Sequence, residues 1–176
     1  MSGFRQRLAP LLLLALLLLT GCTSTDPQAA RVTNPQRPNS VNASLGDIRL
    51  LATRIESPED AVHTTGGNVG LFTTLANDSQ TSARLLGVST VYASSVVQRN
   101  GLEGPVQSVD VAIPGGGVVS MQYPGGPHLE LVGLKTDVSG GRFVPVTFRF
   151  GTGSLTVDVF VEGFGLPTVP PSSPAS

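Results

Sequence analysis

His128 and Glu130 are the two residues whose types and spacing most directly suggest chemistry. One residue separates them, so in a β-strand both side chains would lie on the same face. An imidazole nitrogen and a carboxylate oxygen suit Cu(II) or Zn(II), whereas Cu(I) selects thioether and thiolate ligands. The pair could therefore contribute to a weak metal site, but two donors are too few for high affinity. The alternative is that His128 caps a loop and Glu130 is a solvated residue on a strand face.

The other histidine, His63, stands close to three carboxylates in the segment ESPEDAVH. We interpret Glu56, Glu59 and Asp60 as members of a solvated loop rather than as a metal or acid/base site. The chain has no H-x-x-x-H or H-E-x-x-H spacing for zinc, and no serine lies in a G-x-S-x-G nucleophile elbow. The sequence therefore predicts a protein that is not an enzyme.

Cys22 is the only cysteine in the chain, and its position is informative. It follows the basic residues Arg5 and Arg7, the apolar stretch 11–19 and two small residues, which is the layout of an export signal. The run LTGC, residues 19–22, resembles the lipobox of bacterial lipoproteins. We therefore expect an exported protein that works outside the cytoplasm.

The lipobox resemblance implies that residues 1–21 are a signal peptide that is removed and that the thiol of Cys22 carries a lipid. Two alternatives are an uncleaved transmembrane helix and an ordinary secretory signal that leaves Cys22 as a thiol. A transmembrane helix needs about 20 apolar residues, and this stretch is shorter and contains Pro10. A lone cysteine also excludes an intramolecular disulfide, so the exported domain must rely on its core.

The mature chain is predicted to contain one folded region between two segments of biased composition. Residues 22–44 comprise the lipidated cysteine and a flexible tether, because they contain too few large apolar residues to offset the entropy of ordering. Residues 167–176, PTVPPSSPAS, are predicted to be a disordered tail. Residues 45–166 remain to form a single domain.

Charge and composition argue against a nucleic acid as a partner. The chain has 11 Lys and Arg and 12 Asp and Glu, and removal of Arg5 and Arg7 leaves nine basic against twelve acidic residues, a formal charge of −3. No basic run could follow a phosphate backbone, and the chain has no Trp to stack on bases. The expected partners are a membrane, through the lipid on Cys22, and another envelope protein.

The apolar pattern between residues 45 and 166 has a period of two, which is typical of β-strands. The clearest case is a hairpin formed by 143–150 and 154–161, with the turn at Gly151 to Gly153. Earlier strands are predicted at Asp47–Ile55, Val69–Ala76, Ala83–Thr90, Ser94–Gln98, Val106–Ile113, Gly117–Tyr123 and His128–Leu134. Without a helix to cover a sheet face, this series predicts an all-β, antiparallel Greek-key β-sandwich.

Three stretches resemble the periplasmic copper chaperones of the PCu(A)C family. Residues 125–161 are similar to the C-terminal half of that family, with a Gly-Gly-Pro-His turn followed by the strand VPVTFRF. Residues 70–90, GLFTTLANDSQTSARLLGVST, and 112–121, AIPGGGVVSM, are similar to its upstream strands and turn. The resemblance covers essentially the whole folded region, in order. It implies a cupredoxin-like β-sandwich.

The copper ligands of that family, two His and two Met, are not retained. Only His128 matches; Glu130 stands where the family has a Met, and the upstream His falls on or near Gln98. Met121 lies in the vicinity, but its place in the sequence VSMQ predicts a core residue. The resemblance therefore implies a degenerate metal site at His128 and Glu130, with no cofactor certain and copper as the one to test.

The lipobox, the Arg-rich composition and the loss of the Met-rich site also resemble a group of actinobacterial envelope lipoproteins. The leading hypothesis is a membrane-anchored extracytoplasmic lipoprotein whose copper-chaperone-like sandwich is an envelope binding or interaction module. The alternative is an active copper or zinc carrier that uses His128 with further ligands that the spacing does not identify.

Overall fold

The computed structural model describes residues 31–33, 40–101, 103–106 and 108–163. The predicted signal peptide 1–21, Cys22 and the predicted tail 167–176 lie outside the described residues. Within them the chain forms β-strands and no helix. The strands are β1 (Arg31–Thr33), β2 (Val41–Leu45), β3 (Ile48–Ile55), β4 (Val62–His63), β5 (Val69–Asn77), β6 (Ala83–Ser89), β7 (Ala93–Asn100), β8 (Val111–Ile113), β9 (Val118–Met121), β10 (Pro127–Leu134), β11 (Val138–Ser139), β12 (Phe143–Phe150) and β13 (Gly153–Val161). No helix among these residues is long and apolar enough to cross a membrane.

The predicted all-β fold is confirmed, and β12 has the predicted bounds. Its alternation is also as predicted, since Val144, Val146, Phe148 and Phe150 are all buried. The strand predicted at 106–113 is wrong over its first half. There the chain makes only an isolated bridge between Val106 and Gln98, and β8 begins at Val111.

The ordered structure begins earlier in the sequence than predicted. Strand β1 and all of β2 except its last residue, Leu45, fall in residues 22–44, the segment predicted to be a flexible tether. Arg31 lies opposite Ser44 in their antiparallel pair. Val41 and Ala43 are buried in the core. A short strand with so few apolar residues gives a weak periodic signal. The prediction of an unstructured segment is therefore wrong for these two strands.

An eleven-stranded sheet curls around the core, and β4 and β11 form a separate two-stranded sheet. The strands of the larger sheet follow the order β7-β10-β5-β3-β13-β12-β6-β8, with β2 also beside β3 and β9 also beside β5. The described pairs are antiparallel, as predicted, except β13 and β3. These two run parallel, with Phe160 opposite Arg54 and Val161 opposite Ile55.

A bulge in β3 allows this one strand to join two parts of the sheet. Ala52 has φ 51°, in the left-handed region that residues other than Gly rarely occupy. The side-chain oxygen of Asn42 accepts a hydrogen bond of 2.8 Å from the Ala52 amide. Up to Thr53 the strand pairs with β2, and from Arg54 it pairs with β13. Because a bulge bends and twists a strand, β3 can change neighbours here.

The core contains the inward-facing residues of nearly all strands. Phe148 of β12 is the largest of its fully buried side chains, and Met121 of β9 is also fully buried, as its sequence context predicted. Phe143 begins the same strand as Phe148 but is 54% exposed. It packs edge-on against Phe160 at a ring-centroid distance of 5.3 Å. The two phenylalanines thus differ in burial within one strand.

Replacement of Phe148 by Ala should lower the free energy of unfolding by about 3–5 kcal/mol, because the lost ring leaves a cavity in a closely packed core. Denaturation in urea followed by circular dichroism would measure the loss. The matched control is Phe143→Ala, which makes the same chemical change at an exposed position and should have a much smaller effect. Equal losses for the two variants would contradict the packing described here.

Candidate functional site

His128 and Glu130 both lie on β10, and both side chains are on the outer face of the sheet. Leu129, which separates them, is fully buried and lies opposite Leu71 of β5. Because successive side chains of a strand alternate, His128 and Glu130 point away from the core. The structure thus places the two predicted ligands on the same face, and their neighbours there decide what they can bind.

A row of side chains crosses the outer face at the level of His128. Phe160 lies opposite Arg54, Arg54 lies opposite Phe72, and His128 lies opposite Arg99. The rings of His128 and Phe72 are in contact, with their centroids 5.9 Å apart. We use the name outer-face cluster for four residues of this row together with Glu130: Arg54, Phe72, Arg99, His128 and Glu130.

The carboxylate of Glu130 is bound by Arg99. Its Oε2 accepts hydrogen bonds from Nε of Arg99 at 2.7 Å and from Nη2 at 2.6 Å. The two side chains are only 26% and 18% exposed, so the ion pair is mostly shielded from water. Separating it would leave a poorly solvated charge, which is costly. Glu130 is therefore already neutralised by a cation of the protein itself.

The imidazole of His128 is also held by the protein. Its Nδ1 lies 2.9 Å from the carbonyl oxygen of Gly126. A carbonyl oxygen only accepts hydrogen bonds, so Nδ1 carries the proton and a neutral ring has its lone pair on Nε2. The residue is 9% exposed. This side chain is thus fixed in orientation and nearly buried.

Arg54 covers the ring of Phe72. Its guanidinium carbon is 4.9 Å from the ring centroid, a distance at which a cation is attracted to an aromatic face. Phe72 is buried although it lies on the outer face and is separate from the main core cluster. The Nε of Arg54 also pairs with Oε1 of Glu162 at 3.0 Å. A second, small cluster is thus packed on the outer face of the sheet, apart from the main core.

Gly70 is required at its position by the close packing of this cluster. It lies opposite Glu130 on β5. A Cβ atom at Gly70 would come within 2.7 Å of Cζ of Phe72 and 3.0 Å of Oε2 of Glu56. That Glu56 oxygen accepts a hydrogen bond from the Gly70 amide. Any larger residue would displace the Phe72 ring, so the absence of a side chain here has a packing reason.

Gln122 connects the outer-face cluster to the bulge of β3. Its side-chain amide donates to the carbonyl oxygens of Leu51 and Ala52, each at 3.3 Å. Its Oε1 accepts a hydrogen bond from Arg54. Gln122 begins the loop 122–126, which separates β9 from β10. The side chains on the outer face are therefore fixed to the backbone that bends the sheet.

Glu162 has a raised pKa because it is partly buried. Desolvation is the main cause, the charge of Glu56 adds to it, and the guanidinium of Arg54 opposes both. Glu162 directly follows the last residue of β13, and its pairing with Arg54 places it at the edge of the outer-face cluster. The ion pair with Arg54 thus compensates only part of the desolvation of Glu162.

The residues of the ESPEDAVH segment line an open cleft of about 330 Å³. Glu59, Asp60 and His63 are among its walls, but Nε2 of His63 donates to the carbonyl oxygen of Glu56 at 2.8 Å. Within the described parts of the chain, no three His, Cys, Asp or Glu residues lie close enough together to hold a metal ion. The interpretation of this segment as a solvated loop stays a prediction.

A second concavity, of about 590 Å³, lies at the other end of the strands. Its lining includes the β2–β3 turn, the segment after β5 and the β12–β13 turn. Arg84, its one basic lining residue, pairs with Asp110. The lining includes the carboxylate of Asp47 and neither of the two histidines.

Sequence reasoning did not find Arg99, Arg54 or Phe72. Arg99 follows Gln98, the position that the resemblance suggested for the upstream ligand. In the structure Gln98 lies opposite Leu129 and Arg99 lies opposite His128, so it is Arg99 that shares the outer face with the histidine. The clue in the sequence was the charge complementarity of Arg99 and Glu130. It could be used only once the pairing of β7 with β10 was known.

Comparison with known sequences identifies relatives over the folded region. The family model described as "Putative lipoprotein LpqE-like" matches residues 44–161. A curated protein of Leifsonia xyli subsp. xyli, described as "Putative lipoprotein Lxx21020", is 28% identical over 151 residues. The match covers 85% of this chain and 85% of that protein. The matched region begins within β2 and ends with β13.

Comparison with solved structures identifies the same fold. The copper-bound PCuAC domain from PmoF2 is 24% identical with a TM-score of 0.58, and the match covers 69% of this chain and 97% of that domain. The apo PCuAC domain from PmoF1 is 18% identical with a TM-score of 0.59, covering 69% and 98%. These similarities confirm the predicted cupredoxin-like sandwich.

The raised pKa of Glu162 predicts a pH-dependent effect of Glu162→Gln. In the unfolded chain the carboxyl returns to its ordinary pKa of 4.5. Because ionisation is disfavoured only in the folded state, the free energy of unfolding decreases as the pH rises through the folded pKa. Glutamine cannot ionise, so the free energy of unfolding of the variant minus that of the wild type should increase from about pH 4 to about pH 7.

Urea denaturation at a series of pH values would measure this difference. Glu59→Gln, which makes the same chemical change at an exposed carboxyl group, is the matched control. A difference that decreases with pH for Glu162→Gln would mean that attraction to Arg54 outweighs desolvation.

Proposed function

The chain belongs to the LpqE-like lipoprotein family, and from this premise we propose that it is a membrane-anchored extracytoplasmic lipoprotein whose sandwich binds another envelope protein. In this proposal Cys22 carries the lipid, residues 1–21 are removed, and the PCuAC-like fold serves as an interaction module rather than as a metal carrier. The protein is not an enzyme.

Two independent observations support the anchoring. The residues before Cys22 have the order of an export signal and end in a sequence similar to a lipobox. The family and the curated relative are both described as lipoproteins. The modification consumes the thiol of Cys22, which leaves the mature protein with no free cysteine. Two or more acyl chains, as bacterial lipoproteins carry, would give stable attachment, whereas a single chain gives only marginal binding.

The ion pair between Arg99 and Glu130 is the observation that carries the proposal of an interaction module. A metal ion at His128 and Glu130 would have to displace a guanidinium that is already 2.6 Å from the carboxylate. The pair also lacks the soft sulfur donors that select Cu(I). These two residues therefore do not fit a copper site. The guanidinium of Arg99 supplies the positive charge beside Glu130 that a metal ion would otherwise supply.

One feature favours the alternative, a copper or zinc carrier that uses His128 with other ligands. A metal-binding histidine commonly donates its second ring N–H to a backbone carbonyl, which orients the ring. His128 does so from Nδ1 to Gly126. The PCuAC domain from PmoF2 has been solved with copper bound. Titration with metal ions separates the two proposals.

Replacement of Cys22 by Ala should release the protein from the membrane, because the substitution removes the atom to which the lipid is attached. Separation of membrane and soluble fractions of the producing cells, followed by immunoblotting, would measure the distribution. Ser24→Ala, two residues downstream, is the matched control and should leave the protein with the membranes. Retention of Cys22→Ala in the membrane fraction would contradict lipid anchoring at this residue.

The mature chain carrying Cys22→Ala should show no saturable binding of Cu(I), Cu(II) or Zn(II) at micromolar concentrations, because Glu130 is neutralised by Arg99. Isothermal titration calorimetry would measure this, with His128→Ala and His63→Ala as the paired variants. Saturable binding that is lost in His128→Ala and retained in His63→Ala would overturn the interaction-module proposal and establish the metal carrier.

A further inference from the structure

The N-terminal segment joins the domain at one defined end of the strands. In the antiparallel pair of β1 and β2, Arg31 lies opposite Ser44 and Thr33 lies opposite Asn42. The chain therefore enters β1 at Arg31 on the side of Leu45, where β2 turns into β3 at Gly46 and Asp47. This geometry uses only backbone pairing and fixes where the tether is attached.

Four turns meet at this end of the domain. The Asp78 amide donates to the Asp47 carbonyl at 2.9 Å, the Gly116 amide donates to the Ser79 carbonyl at 2.7 Å, and the Gly151 amide donates to the Arg84 carbonyl at 3.2 Å. The first two bonds link the β5–β6 connection to the β2–β3 and β8–β9 connections, and the third links the β12–β13 turn to the start of β6. We call the four connections together the tether end: residues 46–47, 78–82, 114–117 and 151–152.

The opposite end of the strands is formed by different connections, which are linked to one another in the same way. The Gly140 amide donates to the Ala61 carbonyl, and the Gly66 amide donates to the Leu134 carbonyl. The cleft with Glu59, Asp60 and His63 lies here. We call residues 56–68, 135–142 and 162–163 the far end.

The lengths of the tether and of the domain can be compared directly. Nine residue steps separate Cys22 from Arg31, which span at most about 30 Å when fully extended and about 16 Å as a flexible chain. Strand β5, with nine residues, runs from the far end to the tether end and is about 27 Å long. A lipid at Cys22 could therefore reach a bilayer beside the far end only if the tether were almost fully extended along the domain.

We propose that the tether end faces the lipid bilayer and the far end faces away from it. This inference rests on the proposed lipid anchor at Cys22. The tether end contains the acidic residues Asp47 and Asp78, and the nearby Arg49 pairs with Asp78. These charges give no excess of positive charge that could bind anionic headgroups. The short tether, rather than adhesion, holds the tether end there.

The test uses the full lipidated chain in phosphatidylcholine vesicles that contain a nitroxide-labelled headgroup lipid. Thr152→Cys at the tether end and Asp60→Cys at the far end would each be labelled with a fluorophore. Both positions are exposed, and lipidation leaves no other thiol to react. The expected result is severalfold stronger quenching at position 152 than at position 60. A long Gly/Ser insert after Ala30 should abolish this difference.

The outcomes separate the anchor from the orientation. A chain that does not co-sediment with the vesicles overturns the lipid anchor and the orientation together. A chain that co-sediments but shows equal quenching at the two positions, or stronger quenching at position 60, overturns the orientation alone. A difference in quenching that survives the Gly/Ser insert overturns the claim that the short tether imposes the orientation.

Discussion

The structure depends on one strained residue in β3. Ala52 occupies the left-handed region, and the side chains of Asn42 and Gln122 bind the backbone around it. The resulting bulge transfers β3 from β2 to β13, and this transfer joins the two parts of the curled sheet. Strain of this kind persists only where the surroundings determine it. Arg54, which follows the bulge by two residues, is thereby directed towards Phe72 on the outer face.

The polar and charged side chains of the outer-face cluster are bound by other groups of the protein itself. His128 remains in contact with Phe72, and its ring is oriented by a backbone carbonyl. Two residues further along β10, the carboxylate of Glu130 is bound by Arg99 of the neighbouring strand β7. A carboxylate and an arginine together form a neutral, hydrogen-bonded pair. Glu130 and Arg99 are on different strands, so the pairing of β7 with β10 is what brings them together.

Much of the fold could be predicted from the sequence, because period-two alternation is strong in strands with one buried face. β12 and β13 carry four buried apolar residues each at alternate positions, and their hairpin is correct to within one residue. β1, β2, β4 and β11 were missed because two to five residues give too few repeats of the pattern. The parallel pair of β13 with β3 was also missed, because local sequence contains no information on which distant strands become neighbours.

The same distinction applies to the candidate site. The shared face of His128 and Glu130 follows from spacing alone, since it depends on a single strand. The roles of Arg99 and Phe72 depend on which strands flank β10, and no motif in the sequence specifies that order. The tether is shorter than predicted because β1 pairs with β2. Three residues are too few to show a strand pattern, so this pairing could not be predicted from the sequence.

Strands β9 and β10 pair one after the other with the same side of β5, like one interrupted strand. Met121 lies opposite Thr73 and Leu129 lies opposite Leu71, so one residue of β5 faces seven residues of the other chain segment. The loop 122–126 and the start of β10 accommodate the excess while the register on both sides is preserved. Gln122 binds the bulge of β3 and the Gly126 carbonyl orients His128, so a change in loop length is compatible with the cluster only if both ends of the loop keep these contacts. Alignments of relatives should therefore be anchored on the two flanking strands and not on the loop.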